Sequence, residues 1–107
     1  MSGGFFNYNQ YRIQDIIDSI ERKLANQGKD LPKDALWNSA DYYKEYPEEL
    51  KYPVYSDKIQ AELRNGINIL RIALIYVHCI DWYLSGDYSE ETFFNTLRKD
   101  LDEIQNN

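Results

Sequence analysis

Hydrophobic residues at three- and four-residue spacing mark a first helical segment near the start of the chain. They are Ile13, Ile16, Ile17, Ile20 and Leu24, with charged residues between them. This spacing predicts a helix with one apolar face over about residues 7–27. Asn7 with Gln10 predicts a capping box at its start, and Phe6 with Tyr11 predicts a hydrophobic staple. Gly28 predicts a left-handed stop.

A second and longer helix is predicted over about residues 56–85, with Ser56 as its cap and Gly86 after its end. One face carries Leu63, Ile67, Leu70, Leu74, Val77 and Leu84, and the opposite face carries Ile69, Ile72, Ala73, Tyr76, Ile80 and Tyr83. A helix with two apolar faces needs cover on both. The other helices can cover one side, so either the preceding segment or a second copy of the chain must cover the other.

A third helix is predicted over about residues 89–105, because Ser89 is a good cap and the apolar pattern runs on through Phe94, Leu97, Leu101 and Ile104. No alternation typical of strands is found. The sequence therefore predicts an all-α fold, a small helical bundle of three main helices in a single domain over residues 1–107, and we expect it to form a homo-oligomer.

Residues 29–55, which we call the arm, carry all three prolines and a run of aromatic residues. Short helical turns are predicted at 39–45 and 47–50, and the rest is predicted to be irregular. Two interpretations remain open for the aromatic residues Trp37, Tyr42, Tyr43 and Tyr46. They either pack the arm against the helices or form a binding surface.

Charge and targeting features restrict the classes of function. A net charge of −6 argues against a general binder of double-stranded nucleic acid or anionic membranes, although a basic protein partner fits. No secretory signal is visible at the start, and polar residues interrupt the longest apolar run. We therefore expect a cytoplasmic protein without a membrane span, which for a phage-encoded chain means the host cytoplasm.

The reactive side chains do not form a catalytic or metal-binding pattern. His78 and Cys79 are neighbours, and neighbours on a helix point in divergent directions, so they do not make a nucleophile and base. One histidine and one cysteine fall short of a structural zinc site. No phosphate-loop or hydrolase motif is present. The sequence predicts no enzyme activity, no metal and no cofactor, with Cys79 as a small buried residue.

Two polar features of the central helix remain. Asp81 falls in its first apolar face, where a carboxylate needs donors, and we expect a polar lock with Arg12, Arg98 or a tyrosine hydroxyl. A stripe between the two apolar faces carries the candidate ligand-binding residues Arg64, Asn68, Arg71, His78 and Trp82. Guanidinium groups and an imidazole suit phosphate, and an indole suits a stacked base. The alternative is that the stripe is only a solvated edge.

The segments "GGFFNYNQYRIQDI" and "IDWYLSGDYSEETF" resemble those of a family of small proteins from bacteria and their phages and prophages. The resemblance covers the first helix and the last forty or so residues, and it carries over no active-site residue. It implies a phage or mobile-element setting. In that setting we expect a non-catalytic anti-defence factor that sequesters a nucleotide-like immune signal. The alternative is an acidic interaction module that binds and inhibits a host defence or nucleic-acid-binding protein.

Overall fold

The protein is all-α, as predicted. The computed structural model describes residues 4–105. Its helices are α1 (Gln10–Ala25), α2 (Ala40–Glu45), α3 (Asp57–Leu84) and α4 (Glu90–Gln105), with short 3-10 turns at Lys33–Ala35 and Pro47–Leu50. The three main helices are α1, α3 and α4, and α3 packs against both of the others.

Helix α3 lies in the middle, and both neighbours run antiparallel to it. Glu21 of α1 pairs with Arg71, and Gln10 pairs with Asp81, so residue numbers rise along α1 as they fall along α3. On the other side Phe93 of α4 packs on Tyr83. Helices α1 and α4 do not contact each other within residues 4–105. The result is a row of three helices in which only α3 has two neighbours.

The start of α1 differs from the prediction. The helix begins at Gln10, not near Asn7, because Asn7 and Tyr8 have left-handed φ angles of 53° and 61°. The predicted capping box is wrong, since the Gln10 side-chain amide donates to Asp81 on α3 and not to the chain at Asn7. A tertiary hydrogen bond has replaced the local one.

The other helix ends lie close to the predicted ones. Ser56 accepts a hydrogen bond from the Ile59 amide at 3.3 Å, and Ser89 accepts one from the Thr92 amide at 3.1 Å. Gly28 and Gly86 adopt the left-handed conformation that the predicted stops require, with φ of 74° and 84°. Because these caps act over only a few residues, the helix boundaries could be predicted from the local sequence.

The arm contacts α1 through Tyr52, whose ring lies 5.5 Å from Lys23 Nζ, but not through the four aromatic residues named above. Its two helical elements, α2 and the turn Pro47–Leu50, contact only each other. Tyr42 packs against Tyr43 and Tyr46, and Trp37 is 93% exposed. The interpretation in which these four aromatics hold the arm to the helices is therefore wrong. The second apolar face of α3 is not covered by the arm.

The molecule is flat and thinly packed. It measures 63 × 29 × 14 Å, and its radius of gyration is 19.7 Å, against about 13 Å for a compact chain of this length. The fully or nearly buried apolar residues of the described chain are only Ile17, Ile67 and Cys79. A single row of helices has no second layer to close a core.

One helix in the described part of the chain, α3, is long and apolar enough to cross a membrane by length and composition alone. Its most apolar 18-residue window has a mean hydropathy of 1.3, and 17% of that window is buried. The mostly buried core helix of a soluble protein passes the same test, so a single helix of this kind is weak evidence for a membrane span. Its fully buried Asp81 would be costly in lipid. A soluble protein is therefore consistent with this helix.

Candidate functional site

The five candidate residues of the stripe lie on the side of α3 that faces the space between α1 and α4. Each residue turns the helix by about 100°, so Arg64, Arg71 and Trp82 share a narrow sector of α3. The contact with α1 flanks one side of that sector at Ile67, and the contact with α4 flanks the other at Cys79. The predicted stripe therefore faces an open channel bounded by two helices.

The basic end of this channel is a groove of about 450 Å³. We call it the basic groove, and its lining residues are Glu21, Leu24, Ala25, Arg64, Ile67, Asn68 and Arg71. It combines two guanidinium groups and an amide with an apolar wall. Such a combination suits an anionic ligand that also carries an apolar or aromatic part.

Arg71 is held in place by an acidic residue of the opposite wall. Its Nη2 donates to Glu21 Oε1 at 3.2 Å, and both side chains are about half exposed. A pair this exposed contributes only about 0.2–1 kcal/mol to stability. Arg64 has no acidic partner within 4 Å among the residues that the structure describes. The groove therefore keeps one positive charge in excess.

The other two stripe residues belong to an aromatic cluster. The Trp82 ring packs at a tilt against two other rings, at 5.6 Å from the His78 ring and at 5.5 Å from the Tyr88 ring, measured between ring centroids. Burial, with the Cys79 thiol and the Asp100 carboxylate nearby, raises the pKa of Tyr88. This cluster closes the junction of α3 and α4, a packing role that the sequence pattern did not reveal.

The five residues do not make one compact site. Arg71 and His78 are about 10 Å apart along the helix axis, and Arg64 and Trp82 are about 27 Å apart. A small ligand in the basic groove touches Arg64, Asn68 and Arg71 but does not reach Trp82. The arm begins beyond the opposite end of α3 from Trp82. Trp82 and the aromatic residues of the arm therefore lie too far apart to stack on one base in a single copy of the chain.

Asp81 is a polar lock, as predicted, but with different partners. It is fully buried, and its two oxygens accept from Gln10 Nε2 at 2.9 Å and from the Phe6 amide at 3.1 Å. Within residues 4–105, neither Arg12 nor Arg98 forms an ion pair with it. The sequence held a signal for Gln10, which is a polar residue on the same helical face as Ile13 and Ile17.

Cys79 is not placed as a nucleophile. Cys79 is fully buried, and burial followed by the nearby Asp100 carboxylate raises the pKa of its thiol. A thiol nucleophile needs the opposite shift and access to substrate. No group of three or more histidine, cysteine, aspartate or glutamate side chains within residues 4–105 could hold a metal ion.

Comparison with known proteins adds no relative. No protein-family model matches the chain, and neither a curated protein nor a solved structure matches it.

Proposed function

We propose that the protein is a non-catalytic binding protein that holds a nucleotide-like anion in the basic groove. The observation that supports this is the placement of Arg64 and Arg71 in one groove beside the apolar wall of Leu24 and Ile67. Guanidinium groups recognise phosphate oxygens through paired hydrogen bonds. The apolar wall offers a surface for a base or sugar.

The ion pair of Arg71 with Glu21 sets how such a ligand would bind. A phosphate competes with the Glu21 carboxylate for the same guanidinium, while Arg64 offers a guanidinium that no acid of the described chain occupies. Binding therefore begins at Arg64, and Arg71 exchanges partners. Because both charges are exposed to solvent, we expect affinity to fall as salt is added.

The resemblance of the two end segments supports a phage or prophage setting for this activity. In that setting the proposed role is anti-defence, through sequestration of a nucleotide-like immune signal in the host cytoplasm. A protein that sequesters a ligand without converting it needs only a high affinity for that ligand and a high concentration in the cell. The buried Cys79 and the fully occupied Asp81 support a binding role over a catalytic one.

A thermal-shift series against mono-, di- and cyclic nucleotides tests this proposal. Stabilisation should rise with the logarithm of ligand concentration once the groove saturates. Arg64→Ala and Arg71→Ala should each abolish most of the shift, and Arg71→Lys should keep part of it. Arg98→Ala is the matched control, since Arg98 is exposed on α4 and does not line the groove. An equal shift in the Arg64 and control variants would contradict the proposal.

A second candidate function is an acidic module that occupies a basic groove on a host protein. The observation that favours it is the exposure of Asp15, Asp18, Glu90, Glu91, Asp102 and Glu103 on α1 and α4 in a chain of net charge −6. A pulldown from host lysate, washed with increasing salt, tests it. A salt-sensitive partner together with no shift by any nucleotide favours this candidate over the first.

A further inference from the structure

The side of the helical row opposite the basic groove is an exposed apolar surface. We call it the apolar face, and its residues are Ile16, Ile69, Tyr76, Tyr83, Leu84 and Phe94. Ile69, Tyr76 and Tyr83 recur every seven residues along α3, so they lie in one line. Each is between 42% and 64% exposed.

The flanking helices contribute to the same side. Ile16 lies about 140° around α1 from Glu21, which marks the groove side, and it is 50% exposed. Phe94 lies about 160° around α4 from Thr96, the residue whose hydroxyl meets Tyr88 on the channel side, and it is 52% exposed. All three main helices therefore present apolar side chains in one direction.

The chain exposes more surface than a compact monomer of its mass. The chain exposes 8086 Å², whereas a compact monomer of 12.7 kDa exposes about 6,200 Å². The difference of about 1,900 Å² falls within the roughly 1,000–2,500 Å² that each subunit of an obligate homodimer buries. A second layer that closes a core has to be added on one of the two broad faces of a molecule only 14 Å thick, and the apolar face is one of these two.

A buried acceptor at the start of α1 lacks a donor. Asp81 fixes the orientation of the Gln10 amide, because a carboxylate only accepts hydrogen bonds and so takes the nitrogen. Gln10 Oε1 is thereby left buried without a partner, although Gln10 is only 3% exposed. Gln10 also lines a depression with Ile13 and Val77.

We propose that a second copy of the chain covers the apolar face, giving a two-layer dimer with six main helices. The heptad line is centred on Tyr76, so a two-fold axis passes there and sets Ile69 against the partner subunit's Tyr83. The two basic grooves then lie on opposite outer surfaces. This arrangement stands whether or not the grooves bind a nucleotide.

Multi-angle light scattering during size exclusion, at several micromolar concentrations, is the first test. We expect twice the 12.7 kDa mass of the chain. Ile69→Asp and Tyr76→Asp should give monomers, with circular dichroism reporting whether helix content survives. Trp37→Asp is the control, because Trp37 is the most exposed large apolar residue of the described chain but lies on the arm. A monomeric wild-type chain, or a dimer abolished by Trp37→Asp alone, would overturn the proposal.

Disulfide trapping keeps the proposal testable if the aspartate variants fail to fold. Tyr76→Cys places a thiol beside the two-fold axis, and mild oxidation should yield a covalent dimer. Asn68→Cys places a thiol at an exposed position on the groove side and should not cross-link. Equal cross-linking of the two variants, or none in Tyr76→Cys, contradicts the arrangement. The native Cys79 is buried and does not interfere.

Discussion

Gln10 and Asp81 join the start of α1 to the end of α3 through a buried hydrogen bond of 2.9 Å. The two residues are 71 positions apart in the sequence. Each is a polar residue on an otherwise apolar helical face, and each supplies the hydrogen-bond partner that the other needs. This pair, and not a local cap, fixes where the first helix begins.

Removing the Asp81 carboxylate should destabilise the fold strongly. In Asp81→Ala the Gln10 amide and the Phe6 N–H lose their acceptor, and we expect a loss of about 3–5 kcal/mol in the free energy of unfolding. Asp81→Asn should lose less, because its amide can donate to Gln10 Oε1 after that side chain flips. Urea unfolding followed by circular dichroism measures both. Equal losses in the two variants would show that charge, and not hydrogen bonding, matters here.

Stability should fall at alkaline pH through Cys79. Burial raises the pKa of this thiol above its usual 9.0, so the unfolded chain releases the proton at a lower pH than the folded chain. The free energy of unfolding is then fully present below about pH 9 and declines as pH rises through the folded pKa. Urea melts at pH 8, 9 and 10 measure the slope. Cys79→Ala should flatten it, and an unchanged slope would contradict this assignment.

Substitution by alanine should have opposite effects on stability at two glycines. Gly86 has a φ of 84°, which an alanine adopts only with strain, so Gly86→Ala should cost about 1 kcal/mol or more. Gly66 lies inside α3, and an added methyl group meets nothing within 4 Å. Gly66→Ala should therefore stabilise the protein by about 0.5–1 kcal/mol through helix propensity. Thermal melts of both variants give the signs directly.

The two tryptophans should differ in their access to a quencher. Trp37 is 93% exposed, whereas Trp82 is half buried between His78 and Tyr88. Acrylamide should quench Trp37→Phe, which keeps only Trp82, several-fold less steeply than Trp82→Phe. Similar slopes would mean that the arm is covered by something in solution.

The local parts of the fold could be predicted from the sequence because their causes are local. Ser56, Ser89 and Gly86 act within a few residues of themselves, so the helices they bound were found. Asn7 was misjudged because a partner at Asp81 outweighs a capping box that offers only short-range hydrogen bonds. The sequence shows that Asp81 needs a hydrogen-bond donor, but it does not show which residue supplies that donor.

The sequence predicted which side of α3 carries the candidate residues, but not how far apart they lie along the helix axis. Helical periodicity places Arg64 and Arg71 on one side of α3, and the structure puts α1 beside them to form a groove. The same periodicity added His78 and Trp82, which lie too far along the axis to share a small ligand. Only the position of α4, set by contacts that no single-helix pattern contains, assigns them to packing.

The distance in sequence between Gln10 and Asp81 also sets an order of events during synthesis. The first helix leaves the ribosome with an apolar face and no surface to receive it, because α3 is finished only when residue 84 has been added. Until then a 16-residue helix is only marginally stable in water. Helix α1 therefore docks only after α3 has been synthesised, when the hydrogen bond between Gln10 and Asp81 can form.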